Sequence, residues 1–133
     1  MSRPTGAGLS DEERYDQGMT VRREVLSPEH VDRATANATE LSADWQDFIT
    51  RVAWGDVWSR PALDRRSRSI AVLSSLIAHG HHEELAMHLR AAIRNGLTLD
   101  EIREVILQSA IYSGVPAANT AFRIANEVFA DEL

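Results

Sequence analysis

The apolar positions of this chain recur every three to four residues, and that period predicts helix almost throughout. Ser10 and Glu13 have the spacing of a capping box and open a first helix that runs to about Leu26. Ser27-Pro28 stops that helix and starts a second, over roughly 28–38, with serine as N-cap and proline in the first turn. From about Ser42 a third helix carries Trp45, Phe48, Ile49, Val52 and Trp54; "WGDVWSRP" interrupts it at Gly55 and ends it at Pro61. A fourth, from about Ala62 to His79, is apolar around most of its girth after Arg68, which predicts burial on several sides. A fifth spans 81 to about 95 and stops at Asn95-Gly96. Thr98 and Glu101 form a second capping box and open a sixth, with Ile102, Val105, Ile106 and Ala110 on one face. Gly114 closes it, and Pro116 falls in the first turn of a seventh. No stretch alternates Val, Ile and Thr as a strand would. The expected fold is therefore all-α, a compact bundle of about six to seven helices. It is read as one domain over 10–133, behind a flexible tail over 1–9 that is rich in Pro and Gly.

Composition narrows the function. The chain has 133 residues and no cysteine, which removes disulfides, thiolate metal sites and cysteine nucleophiles together. It has no lysine either, so all 14 basic side chains are arginine and Schiff-base chemistry is excluded. Any anion must be met by guanidinium or backbone N–H, and a guanidinium fork suits carboxylates. A net charge of −6 argues against nucleic acid as a partner. No apolar run approaches the roughly 18 residues of a membrane span, and the N-terminus has no signal-peptide core, so a cytoplasmic location and no membrane partner are expected.

The densest chemistry lies in "GHHEELAMH", residues 80–88. At 100° per residue, His81, Glu84 and His88 fall within about 60° of one another on a helix, beside Leu85, Leu89 and Ala92. Glu84 and His88 form an i,i+4 pair. A carboxylate beside an imidazole, both at the edge of a core, would draw both pKa values towards neutrality, as proton transfer near pH 7 requires. Two other readings stay open: a helix face with a few satisfied polar groups, and a metal site. The spacing is no standard zinc signature, and Arg65, Arg66 and Arg68 on the preceding helix disfavour a cation. Arg68, which leads into the apolar stretch, is the arginine expected to face inward. "VPAAN" offers a helix N-terminus suited to an anion, or simply a tight turn. Trp54 and Trp58 bracket Gly55, an irregular setting in which one of them could line a pocket.

Taken together, "ERYDQGMTVRREVLSPEHVDRA", "ITRVAWGDVWSRPALDRRSRS" and "HHEELAMHLRAAIRNGLTLDEIREVILQSAIYSGVPAANTAF" resemble the carboxymuconolactone decarboxylase family over about residues 13–130. Within these segments "WGDVWSRP" and "YSGVPAAN" are specific in combination. The wider superfamily is that of the alkylhydroperoxidase D-like helical proteins, whose redox members carry Cys-x-x-Cys ahead of a histidine. His88 matches that histidine, His81 and Glu84 stand where the two cysteines would be, and Ser69 falls near the usual upstream glutamate. The resemblance implies loss of peroxidase chemistry and a cofactor-free decarboxylation of 4-carboxymuconolactone to 3-oxoadipate enol-lactone in protocatechuate breakdown, the beta-ketoadipate pathway. It also implies a homo-oligomer, often a hexamer built as a trimer of dimers. On that reading His88, Glu84 and His81 are the expected catalytic groups. Arg68 and Arg60 bind the dicarboxylate lactone, Trp54, Trp58 and Tyr112 wall the pocket, and no metal is used. Rival readings are a relative acting on another lactone or keto acid, a metal-dependent hydrolase, and a non-catalytic ligand-binding subunit.

Overall fold

A computed structural model describes residues 8–133, so most of the expected tail over 1–9 lies outside the described residues. These fold into seven α-helices, one π-helix and a closing 3-10 turn, with no strand among them. The all-α expectation holds. The chain groups into two compact units, divided between Asp64 and Arg65.

The first unit contains α1 (Asp11–Leu26), α2 (Pro28–Ala36), α3 (Ala43–Ile49) and a π-helix (Thr50–Val57). The capping box opens α1 as expected: the Ser10 side chain accepts from Glu13 N, and the Glu13 side chain accepts from Ser10 N. Ser27 joins α1 to α2 at φ 90°, a left-handed setting rare for a residue with a Cβ. The expected break at Gly55 is instead a wider helical turn, in which Trp58 N–H reaches back five residues to the Ala53 carbonyl at 2.9 Å. Such π-turns are rare and concentrate at functional sites.

The reason for Gly55 is packing rather than chain reversal. A Cβ on Gly55 would lie 2.4 Å from the Arg14 carbonyl oxygen, and one on Gly18 would lie 1.9 Å from that of Thr50. The two glycines let α1 and the π-helix meet backbone to backbone. Around that contact Arg14 Nε donates to Asp56 Oδ1 at 2.9 Å, and Gln17 Nε2 donates to the Gly55 carbonyl at 2.9 Å. Trp45 and Phe48, which share the helical period expected of core, stack on each other at 5.9 Å and stay 57% and 49% exposed in the single chain.

The second unit packs α4 (Arg65–His79), α5 (His82–Arg94), α6 (Leu99–Ser113) and α7 (Val115–Val128) around one apolar cluster. Leu73 and Ile77 of α4, Leu85 and Leu89 of α5, Ile102 and Ile106 of α6, and Ala121 and Ile124 of α7 meet there. The Thr98–Glu101 box opens α6 and Gly114, at φ 103°, ends it. The expectation that α4 is buried on several sides is corrected. Its buried residues, Ser69, Leu73 and Ile77, form one i,i+4 stripe, while Ile70, Ala71 and Ala78 are exposed. Three neighbouring helices of one small unit cover one face of α4, and small apolar side chains are tolerated on the rest.

Candidate active site

The polar patch of α5 is built differently from the wheel that predicted it. Gly80 at φ 72° reverses the chain after α4, and His81 is the N-cap at φ −86°, ψ 80°, so the helix begins only at His82. His81 therefore does not share the α5 wheel; it is exposed, with its ring stacked 5.9 Å from that of His79. Glu84 lies in the first turn, where the helix dipole favours a carboxylate, and it too is exposed. The expected partial burial of Glu84 is thus corrected, and among the described residues it makes no hydrogen bond or ion pair with His88. His88, one turn further in and beside Leu85 and Leu89, is half-buried, and its Nδ1 lies out of solvent. Among the described residues no three His, Asp or Glu side chains gather as a metal-ligand group. Of the three predicted catalytic groups, only His88 is held by the body of the fold.

Like Arg65, Arg68 in the first turn of α4 is half-buried. One residue on, Ser69 is buried and its Oγ accepts from Asn95 Nδ2 at 2.8 Å, which ties α4 to the end of α5. Tyr112 is 84% exposed in the single chain, with Ile111 and Val115 beside it at 78% and 72%. Two pockets along α6 are lined by other residues than the predicted ones. One of about 300 Å³ touches Ile70, Ser74, Glu101 and Val105; another of about 290 Å³ touches Ile102, Ile106, Phe122 and Phe129. In the first unit, Trp54 is buried and stacks on Trp58 with ring centroids 5.2 Å apart, while Arg60 is exposed.

One group in the first unit carried no signal in the helix pattern. Arg22 is only 5% exposed, on the face of α1 that carries Gly18, Val21 and Val25. Its Nη1 donates to Thr50 Oγ1 at 3.2 Å, and that hydroxyl donates in turn to the Gln46 carbonyl at 2.7 Å. No carboxylate faces Arg22 among the described residues, and its Nε is buried without a hydrogen-bond partner. Burial lowers its pKa from the ordinary arginine value, with Tyr15 acting weakly the other way. Nearby His30 is also pushed down from 6.5, first by burial and then by Arg33 and Arg22. The doublet Arg22-Arg23 hid this in the sequence: Arg23 pairs with Asp32 at the surface, as a helical arginine usually does.

Fold and side chains together define an all-helical protein without thiols, with a half-buried imidazole on a core helix and a buried, unneutralised guanidinium. The chain belongs to the carboxymuconolactone decarboxylase family, whose profile matches residues 43–127. It is 50% identical to the 4-carboxymuconolactone decarboxylase of Acinetobacter baylyi over 92% of both chains. It is 42% identical to the nitrosuccinic acid decarboxylase of Metarhizium robertsii, over 88% of this chain and 82% of that one. A 4-carboxymuconolactone decarboxylase sequence from Pseudomonas putida matches with 44% identity over 48 residues, all of that sequence and 36% of this chain.

Proposed function

We infer that this chain is a carboxy-lyase that converts 4-carboxymuconolactone to 3-oxoadipate enol-lactone and carbon dioxide. The observation that carries the reading is the 50% identity to a decarboxylase of that substrate over 92% of both chains. The chemistry is self-sufficient. The carboxylate departs from a ring carbon, and the electron pair of the broken bond passes through the ring double bond to the lactone carbonyl. Adding one proton to the carbon next to that carbonyl leaves the enol-lactone. The protein must hold a dicarboxylate, stabilise a dienolate and deliver one proton. In this reading His88 supplies the proton, with His81 as the second candidate and Glu84 near the helix start. Arg68 and Arg60 help to hold the dicarboxylate lactone. The finer parts of the reading are a place in protocatechuate breakdown, a cytoplasmic setting and assembly with copies of itself. The exposed Ile111, Tyr112 and Val115 support the last of these. No described helix is long and apolar enough to cross a membrane.

The 42% identity to a nitrosuccinic acid decarboxylase favours a second, related substrate. The two compounds share a frame. Each is a succinate whose carboxylate-bearing carbon also carries an electron sink, an unsaturated lactone in one and a nitro group in the other. In each, a CH2–carboxylate arm remains after carbon dioxide leaves. Carbon dioxide release from both compounds by the purified chain, compared as kcat/KM, decides between them. Binding of the lactone without carbon dioxide release would end the decarboxylase reading.

A further inference from the structure

A guanidinium with nine-tenths of its surface buried and no carboxylate beside it is expensive, because a buried charge is tolerated when it is paired and hydrogen-bonded. Arg22 meets neither condition fully. Its hydrogen bond to Thr50 uses Nη1, and among the described residues nothing accepts from Nε or Nη2. That unoccupied edge is the one that grips a carboxylate with two parallel N–H donors. The unpaired Nε of a buried guanidinium marks a place where an acceptor is missing, rather than an accident of packing.

The surroundings select the ligand. The neighbouring His30 is kept towards its neutral form by burial, Arg33 and Arg22, and the flat fork of a guanidinium suits a carboxylate. Thr50 heads the π-helix, and the Gly18–Gly55 contact holds that helix against α1 at close range. The Thr50 hydroxyl is committed to the Gln46 carbonyl, so it points Nη1 without competing for the anion.

We propose that Arg22 is a carboxylate-binding residue and that it takes the CH2–carboxylate arm the substrate keeps. This rests on the decarboxylase reading and deepens it: the substrates are succinates bearing an electron sink, and the arm is the part common to all of them. A grip on the retained carboxylate holds the substrate without stabilising the carboxylate that must leave, which would slow the reaction.

The test uses the whole chain and two probes. Succinate has the frame but no electron sink, so it reports binding without turnover. Titration calorimetry should show Arg22→Met binding succinate about 10–100-fold more weakly than the wild type, the loss expected for a hydrogen-bonded charge. Arg22→Lys, which keeps the charge but not the fork, should fall in between. With 4-carboxymuconolactone, KM should rise by a similar factor in Arg22→Met while kcat changes less. The methyl ester of the arm should be a poor substrate for the wild type and no worse than the acid for Arg22→Met. The methionine variant should fold at least as well as the wild type in urea, because an unpaired buried charge has gone. Equal succinate binding by wild type and Arg22→Met would overturn the proposal, as would failure of the wild type to bind succinate. A changed solution mass with unchanged binding would also overturn it and assign Arg22 to a carboxylate of a second copy. If the wild type binds succinate through Arg22 yet releases no carbon dioxide, the decarboxylase reading fails and the carboxylate site stands.

Discussion

Replacing Gly18 by alanine sets two effects against each other, and the structure says which wins. In an ordinary helix interior the change gains about 1 kcal/mol of helix propensity. Here the added Cβ would lie 1.9 Å from the Thr50 carbonyl oxygen and 2.9 Å from Gly55 N. Both are backbone atoms, so no side chain can swing aside. Reaching ordinary contact near 3.4 Å requires α1 and the π-helix to part by about 1.5 Å. That separation would stretch three polar links at once: Arg14 to Asp56, Gln17 to Gly55, and Arg22 to Thr50. Overpacking costs about 1–3 kcal/mol, and each strained link adds about 0.5–1.5 kcal/mol. Against the propensity gain, the net expectation is a loss of about 1.5–6.5 kcal/mol. Urea denaturation followed by helical circular dichroism, at one fixed protein concentration, measures it. The variant should also bind substrate more weakly, since Arg22 and Gly18 lie one turn apart and face the same threonine. A midpoint equal to or above the wild type would show that the close backbone approach is not what holds this unit together.

Three further outcomes follow from the same geometry. His88→Ala should lower kcat by about 10²–10⁴-fold while leaving the helical signal intact; wild-type turnover would remove His88 from the proton transfer. Ser27→Gly should stabilise the chain by about 1 kcal/mol, because relief of the strain at φ 90° (about 1–3 kcal/mol) exceeds glycine's entropic cost and the small loss of the cap to His30 N; a lower urea midpoint would contradict this. His30 is held below 6.5 in the folded chain by burial, Arg33 and Arg22, so the unfolded chain takes up its proton first as pH falls. Its contribution to stability is whole above 6.5 and is lost as pH falls through 6.5 towards the lowered folded value. His30→Gln should flatten the stability–pH curve in that window, and an unchanged slope would refute the assignment.

The helices were legible because local rules and tertiary packing agree on them. Both capping boxes, the Ser27-Pro28 junction, the glycine stops and the proline in the first turn of α7 all act within four residues. What escaped depends on contacts between elements. Gly55 reads as a break because its use, admission of the Arg14 carbonyl, lies 41 positions upstream. His81 was placed on a wheel that starts one residue later. Trp45, Phe48 and Tyr112 have the composition of core, yet a single chain leaves them exposed, so their apolar surface points to a role outside the monomer's own packing.

The site divides along the same line. His88 stood out as a candidate in the sequence because a histidine among leucines on a helix is visible in a linear pattern. Arg22 could not, because its meaning is the absence of a partner, and an absence shows only when every neighbour is in place. A chain with no lysine makes such an arginine look ordinary. Yet the neighbouring arginines of α1 pair with carboxylates: Arg14 reaches Asp56 and Asp11, and Arg23 reaches Asp32. Nearby carboxylates were therefore available, with twenty acidic residues in the chain, and none was placed against Arg22. A charge kept buried while its natural partners are spent elsewhere costs stability, and folding alone gives no reason to keep it. Binding an anion does give a reason, because a guanidinium already stripped of water grips a carboxylate more strongly than one that must first shed its hydration.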